Sequence, residues 1–80
     1  MSDLLISDLL ILLVEPSTTQ QKVIVSYLNE LGIDSVDVVA SGEDAILAME
    51  RVVPDLIVSS MHLPDITGAD LLVKLRGIPE

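Results

Sequence analysis

Three short apolar segments alternate with three amphipathic segments along the chain. Residues 9–14 form a continuous apolar run, which is typical of a strand buried on both faces. Two further strands are predicted over residues 36–40 and 55–59. Apolar residues recur at helical spacing in the segments between and after them. The resulting helices are predicted over residues 18–31, 42–52 and 68–76. This order predicts an α/β fold with a parallel sheet and right-handed crossovers.

The first two predicted helices have recognisable ends. Ser17 or Thr18 can cap the first helix, because a hydroxyl accepts a hydrogen bond from an unpaired amide of the first turn. Gly32 stands where a left-handed C-terminal cap is expected. Ser41, with Asp44 three residues later, resembles a capping box at the start of the second helix.

One side of each predicted helix is apolar and is expected to face the sheet. The positions are Val23, Ile24, Tyr27, Leu28 and Leu31 in the first helix, Ala45, Ala48, Met49 and Val52 in the second, and Leu71, Leu72 and Leu75 in the third. Val25 and Leu47 fall outside these faces, which is a hint of a contact surface.

Composition and charge exclude several classes of protein. Cysteine is absent and there is one histidine, so neither a disulfide nor a Cys/His zinc site is expected. The net charge is −9 and no basic patch exists, so nucleic acid and anionic membranes are not expected partners of this segment. Residues 1–8 lack the cationic start of a signal peptide, and no run is long enough to span a membrane. We therefore interpret them as the leader of a cytoplasmic protein whose domain covers residues 9–80.

Candidate chemistry is expected where the first and third strands end. For a sheet of order 2-1-3, ligands gather between the carboxyl ends of these two strands. The residues delivered there are Glu15, Pro16, Ser59, Ser60 and His62. No glycine follows the first strand, which excludes a dinucleotide site or a P-loop. No G-x-S-x-G elbow surrounds Ser60, so a serine hydrolase is not expected.

Charge at these strand ends is sparse. Glu15 is a single carboxylate and a poor start for a hard-cation site, which needs several oxygen ligands. Asp65 follows a proline in the loop after the third strand, and its expected role is turn formation or solvation. The hydroxyls of residues 17–19 leave a small-anion site open as an alternative, although simple capping is favoured.

The same residues resemble the receiver domain of two-component response regulators. Residues 11–17, ILLVEPS, are similar to the family's I-L-x-V-D-D-S at the end of the first strand. Residues 41–46, SGEDAI, are similar to S-G-x-E-A-L. Residues 54–68, PDLIVSSMHLPDITG, keep the spacing of P-D-L-I-[LV]-x-D-x-x-[ML]-P-x-x-x-G. The resemblance implies a flavodoxin-like, CheY-like three-layer sandwich, of which this chain carries the βαβαβα half, truncated after the third helix.

The departures from the family pattern fall on its chemical residues. The phosphoacceptor Asp of the family corresponds to Ser60, and its acidic pair corresponds to Glu15 and Pro16. Ser59, His62 and Pro64 are expected to line the same pocket. Two of three metal-coordinating carboxylates are thus replaced, so we expect no cofactor, no Mg²⁺ and no aspartyl phosphorylation.

The resemblance therefore implies a pseudo-receiver, a signalling module that binds protein partners and is not an enzyme. Two alternatives remain open at this point. One is a phosphorelay receiver with an atypical acceptor at Ser60 or His62, and the other is a small-anion-binding domain. The third strand is expected to form an exposed edge, through which the chain could associate with itself.

Overall fold

The computed structural model describes residues 8–67, 70, 71, 73 and 74. The elements are β1 (Leu10–Val14), α1 (Thr18–Glu30), β2 (Ser35–Val39), α2 (Gly42–Arg51) and β3 (Leu56–Ser59). Each end lies within one residue of its prediction. Residues 70, 71, 73 and 74 are helical, as predicted for the third helix, whose ends lie outside the described residues. The leader also lies outside them, except for Asp8.

The three strands form one parallel sheet of order β2-β1-β3. Leu12 of β1 lies level with Asp37 of β2 and with Ile57 of β3. Because β1 is paired on both sides, its backbone groups are satisfied inside the sheet. The predicted strand order is confirmed.

Strand β1 is the centre of the core, and its residues Ile11, Leu12, Leu13 and Val14 are all buried. Successive side chains of a strand point to opposite faces of the sheet. Leu12 and Val14 join a cluster that contains Ala45 and Ala48 of α2 and Leu71 of the third helix. The remaining pair, Ile11 and Leu13, therefore lies on the opposite face, where a right-handed crossover places α1. The molecule has helices on both faces of the sheet.

The predicted apolar face of α1 is wrong in part. Val23, Tyr27 and Leu31 are exposed, and no residue of α1 is fully buried. Ile24 and Leu28 are half-buried, and so is Val25, which the sequence pattern placed off the face. The partly buried side of the helix thus includes Val25 together with Ile24 and Leu28.

The second and third helices follow their predictions more closely. Ala45 and Ala48 are buried, and Met49 packs against the core cluster. Val52 is exposed, since α2 ends at Arg51 and Val52 has extended backbone angles two residues before Pro54. Leu71 is fully buried, whereas Leu72 and Leu75 lie outside the described residues.

The predicted helix caps are confirmed. The Ser17 hydroxyl accepts a hydrogen bond from the Gln20 N–H at 3.3 Å, and the Ser41 hydroxyl accepts one from the Asp44 N–H at 3.1 Å. Gly32 has a φ of 91°, the left-handed conformation that favours glycine after a helix. In the described part of the chain, no helix combines the length and the hydropathy needed to cross a membrane.

Candidate functional site

The structure places four of the predicted site residues at the carboxyl ends of β1 and β3: Glu15, Pro16, Ser59 and Ser60. Val14 and Ser59 are paired in the sheet, and the Ser60 N–H donates to the Val14 carbonyl at 2.9 Å. On the other side, the Glu15 N–H donates to the Val39 carbonyl at 2.9 Å. Glu15 and Ser60 are therefore anchored by their backbones on either side of the end of β1.

The carboxylate of Glu15 is hydrogen-bonded to the backbone at the start of α1. One of its oxygens accepts a hydrogen bond from the Ser17 N–H at 3.0 Å. The Gln21 side-chain amide donates to the Glu15 carbonyl at 2.6 Å. A helix N-terminus favours negative charge, because its first amides are unpaired and the helix dipole is positive there. Glu15 therefore supplies, from within the chain, the negative charge that a small anion would bring to this helix start.

Two serine residues, Ser59 and Ser60, stand at the end of β3. The Ser60 hydroxyl accepts a hydrogen bond from the His62 N–H at 3.4 Å. The Ser59 hydroxyl donates to the Ser60 carbonyl at 2.9 Å. Both hydroxyls thus serve the turn that leaves the strand. Pro16, at the end of β1, is exposed and has no ionisable group to add.

His62 and Pro64 belong to the exposed part of the following loop. The backbone of His62 forms an antiparallel bridge with Thr67, which closes the loop on itself. The Leu63 N–H strengthens this closure by donating to the Ile66 carbonyl at 3.1 Å. Over residues 8–67, 70, 71, 73 and 74, no three His, Asp or Glu side chains are grouped as metal ligands. Among Glu15, Pro16, Ser59 and Ser60, Glu15 is the one carboxylate, whereas Mg²⁺ prefers several carboxylate and water oxygens.

Asp65 has a role that sequence reasoning missed. Its two carboxylate oxygens accept hydrogen bonds from the Gly42 and Glu43 N–H groups, each at 2.9 Å. These two bonds hold the pKa of Asp65 below its ordinary value. Asp65 is thus a second cap of α2, supplied from a loop more than twenty residues away in sequence. The sequence shows an acidic residue directly after Pro64, but no local pattern identifies the Gly42 and Glu43 N–H groups as its hydrogen-bond donors.

The contact between this loop and α2 also depends on a glycine. A Cβ atom at Gly42 would overlap the Cγ2 methyl of Ile66. Ile66 in turn packs against the core cluster of Leu12, Val14 and Ala45. Gly42 therefore permits the close approach of the loop, and Asp65 holds the loop there. The segment that follows Ser60 is in this way fixed to the second helix.

Comparison with known proteins identifies relatives of this chain. The model of the response regulator receiver domain matches residues 11–80. The luminescence regulatory protein LuxO of Vibrio campbellii is 45 % identical over 51 residues, which are 64 % of this chain and 11 % of that protein. The probable transcriptional regulator ycf29 of Porphyra purpurea is 38 % identical over 68 residues, or 85 % of this chain and 32 % of that protein. The chain thus spans a minor part of these relatives.

Solved structures give the same result for the fold. A CheY-like receiver domain from Methylobacillus flagellatus superposes with a TM-score of 0.83 at 32 % identity, covering 89 % of this chain and 59 % of that one. A MaeR response regulator mutant bound to sulfate superposes with a TM-score of 0.82 at 26 % identity, covering 90 % of this chain and 60 % of that one. The predicted flavodoxin-like, CheY-like fold is confirmed.

Proposed function

Because this chain belongs to the response regulator receiver domain family, we propose that it is a pseudo-receiver, a two-component signalling module that acts by protein contact without aspartyl phosphorylation. The observation that carries the proposal is Ser60, a hydroxyl at the position of the family's phosphoacceptor carboxylate. An acyl phosphate forms only on a carboxylate, so this residue cannot carry the family's modification.

The surroundings of Ser60 support the same conclusion. Phosphoryl transfer relies on a metal ion and fixed positive charge to neutralise the phosphoryl oxygens. Pro16 removes one potential ligand, and Glu15 already accepts the Ser17 N–H. We infer that the strand ends bind no Mg²⁺ at physiological concentration and that the module needs no cofactor and catalyses no reaction of its own.

Two alternatives are less well supported by the geometry. A relay through Ser60 as an atypical acceptor needs a base to remove its proton, and the hydrogen bond that Ser60 receives comes from a backbone N–H of His62. A small-anion site at the start of α1 would compete with the Glu15 carboxylate for the Ser17 N–H. The sulfate bound by the MaeR mutant is a ligand of that protein and is not carried over to this chain.

The proposed module works in the cytoplasm through protein partners of a signalling pathway. A net charge of −9 disfavours direct contact with nucleic acid or anionic membranes. One proposed mode of contact is self-association through β3.

Incubation with acetyl phosphate and Mg²⁺, followed by intact mass spectrometry, tests the loss of phosphorylation. We expect no acid-stable or acid-labile phosphoryl adduct on the chain, whereas a receiver with an Asp acceptor, run in parallel, should be labelled. A stoichiometric adduct on Ser60 or His62 would contradict the proposal and favour the atypical relay.

Calorimetric titration with Mg²⁺ tests whether the missing carboxylates at residues 16 and 60 are what prevents metal binding. The double variant Pro16→Asp/Ser60→Asp should bind Mg²⁺ at least about tenfold more tightly than the wild type, since carboxylates are the preferred protein ligands. The matched control is Pro16→Asp/Ser59→Asp, which adds the same charges but places the second one on a neighbouring side chain that points to the other face of the sheet. Equal Mg²⁺ affinity of the wild type and the first variant would show that the missing carboxylates are not what determines binding.

A further inference from the structure

A groove lies between α1 and β2. It encloses a cavity of about 600 Å³, within the range of about 300–1,000 Å³ that is typical of binding pockets. Val25 of α1, which is half-buried, and Val38 of β2, which is 40 % exposed, both line it. Lys22 brings a positive charge to one end of the groove, and Glu30 brings a negative charge to the other end. The groove therefore suits an apolar segment with a single acidic residue near Lys22.

The groove is on the side of β1 that holds β2, and the residues that line it belong to α1 and β2. The strand order 2-1-3-4-5 of the receiver family adds its further strands beyond β3, on the opposite side of β1. Val25 and Val38 therefore line a surface whose walls do not depend on the chain beyond the third helix.

The leader reaches this groove if the chain folds back before β1. Asp8, two residues before the strand, has the backbone of a 3₁₀ turn, which is a common connector. Residues 1–7 lie outside the described part of the chain. A fold-back centred on Asp8 brings Asp3, five residues before it, level with Leu13, five residues after it. Leu13 is paired in register with Val38, so Asp3 comes to the height of the groove.

The leader has the polarity that this groove requires. Residues 2–6 read SDLLI, and residues 7–11, which lead into the buried strand β1, have the same sequence. Apolar side chains at residues 4–6 follow a single acidic residue, Asp3. In an extended segment successive side chains alternate between two sides, so either orientation turns at least one apolar side chain to the groove. The leader thus offers apolar side chains and one acid in the order that the groove accepts.

The leader also has the length of the groove. Since α1 runs from the end of β1 back to the start of β2, Glu30 lies at the end of the sheet where β1 begins. From Lys22 to Glu30 the helix rises about 12 Å at 1.5 Å per residue. An extended segment from Asp3 to Ser7 spans about 13 Å at 3.3 Å per residue. With Ser7 at the C-terminal end of α1, Asp3 lies near Lys22 and the apolar residues lie between.

We propose that residues 2–6 of the same chain occupy this groove as an extended strap, antiparallel to β2 and with Asp3 beside Lys22. The connection to β1 is short, and a short tether gives an effective concentration in the millimolar range. A contact too weak to hold a separate peptide is therefore sufficient. The tether also favours the leader over a second copy of the chain, which would need a comparable concentration in solution. The strap covers the β2 side of α1, so protein partners contact other surfaces of the module.

Cysteine labelling tests the proposal, since the chain contains no cysteine of its own. Val38→Cys places one thiol in the groove, and its rate of reaction with a maleimide is measured in the whole chain. Leu4→Ser/Leu5→Ser/Ile6→Ser should raise this rate at least about fivefold, because a polar leader leaves the groove open. The matched control is Leu47→Cys on α2, at a side chain that is 51 % exposed outside the groove, and its rate should be the same with either leader.

A charge exchange tests the register of the strap. Asp3→Lys places two positive charges side by side and should raise the labelling rate of Val38→Cys about threefold, the scale of an exposed ion pair. Lys22→Asp in the same chain restores opposite charges and should return the rate to its slow value. A rate that stays high after this second change would refute the pairing of Asp3 with Lys22.

Two further outcomes overturn the inference. An equal labelling rate of Val38→Cys with either leader would show that the leader does not cover the groove. Protection that grows with protein concentration from about 5 µM to about 500 µM would identify a second copy as the occupant, since a tethered leader protects at any concentration. Leu5→Lys provides a second leader variant if the triple serine variant does not fold by circular dichroism. The labelling does not involve a phosphoryl group, so a failed strap leaves the pseudo-receiver proposal standing.

Discussion

Gly42→Ala is expected to destabilise the protein, although alanine is normally the better residue in a helix. Gly42 is the first residue of α2, and a Cβ atom there would overlap the Cγ2 methyl of Ile66. The next nearest atoms, the Asp65 Oδ1 at 3.3 Å and the Ile66 Cβ at 3.5 Å, need to move little or not at all. The predicted damage therefore comes from one methyl group of one neighbour.

The magnitude is the difference between two opposing effects. Inserting a methyl group into a packed contact costs about 1–3 kcal/mol. Replacing glycine by alanine restricts the unfolded chain and returns about 0.4–1 kcal/mol. The net loss in the free energy of unfolding should be about 1.3 kcal/mol, the difference between the midpoints of these two ranges, about 2 and about 0.7 kcal/mol. In a domain of this size a loss of 1 kcal/mol lowers Tm by roughly 4–8 °C.

Urea denaturation of a double-mutant cycle with Ile66→Ala measures this contact. Ile66→Ala removes the overlapping methyl, so in that background Gly42→Ala should no longer destabilise the protein and should raise the free energy of unfolding by about 0.4–1 kcal/mol. Gly32→Ala is the control: its Cβ would meet no atom within 4 Å, but its φ of 91° is strained for alanine. Gly32→Ala should lower the free energy of unfolding by about 1 kcal/mol both in the wild type and in Ile66→Ala.

A Gly42→Ala variant as stable as the wild type would refute the proposed methyl overlap. A loss that persists after Ile66 is shortened would refute it equally, because the strain would then lie in the backbone of α2 or at Asp65 and not at the methyl contact.

Three further predictions concern the loop, the core and the caps. Because the pKa of Asp65 is lowered on folding, the stability that this carboxylate contributes is present above its unfolded pKa, near 3.8, and is lost as pH falls through the still lower folded value. The Tm of Asp65→Asn should therefore lie below that of the wild type at neutral pH, and the two Tm values should converge below about pH 4. A constant difference in Tm down to about pH 2 would contradict the capping role. Leu71→Ala should lower the free energy of unfolding by about 2–5 kcal/mol in urea denaturation, because Leu71 is fully buried. Val73→Ala, on an exposed side chain two residues later, should stay within about 0.5 kcal/mol, and similar losses in the two would place Leu71 outside the core. Ser41→Ala should lower the free energy of unfolding by about 1 kcal/mol, because the Asp44 N–H loses its hydrogen-bond acceptor. Ser26→Ala within α1 is the control and should be neutral or stabilising, with both variants measured by thermal denaturation.

The role of Asp65 bears on how the module presents its surface. In the described structure the loop after β3 is held to α2 by two hydrogen bonds from Asp65 and by the Gly42–Ile66 contact. The loop thus has a defined conformation in the absence of any bound group. A fixed loop at this end of the sheet is compatible with a module that signals by contact, as proposed.

The sequence by itself determined the strands, the helices and their order. These features depend on local rules: a continuous apolar run for β1, helical spacing for the helices, a hydroxyl at each helix start, and a glycine at a φ of 91° after α1. Its resemblance to the receiver family also predicts that Ser60 and Pro16 stand where that family has carboxylates, and this correspondence stays a prediction.

Tertiary structure alone decided the contacts between segments distant in sequence. The buried side of α1 depends on how the helix lies over the sheet, so Tyr27 and Leu31 are exposed although their spacing predicted a core face. Asp65 caps a helix that begins 23 residues before it, and Gly42 is required by the methyl group of Ile66. No local pattern encodes such pairs, because the interaction energy exists only after the sheet has brought the loop and the helix together.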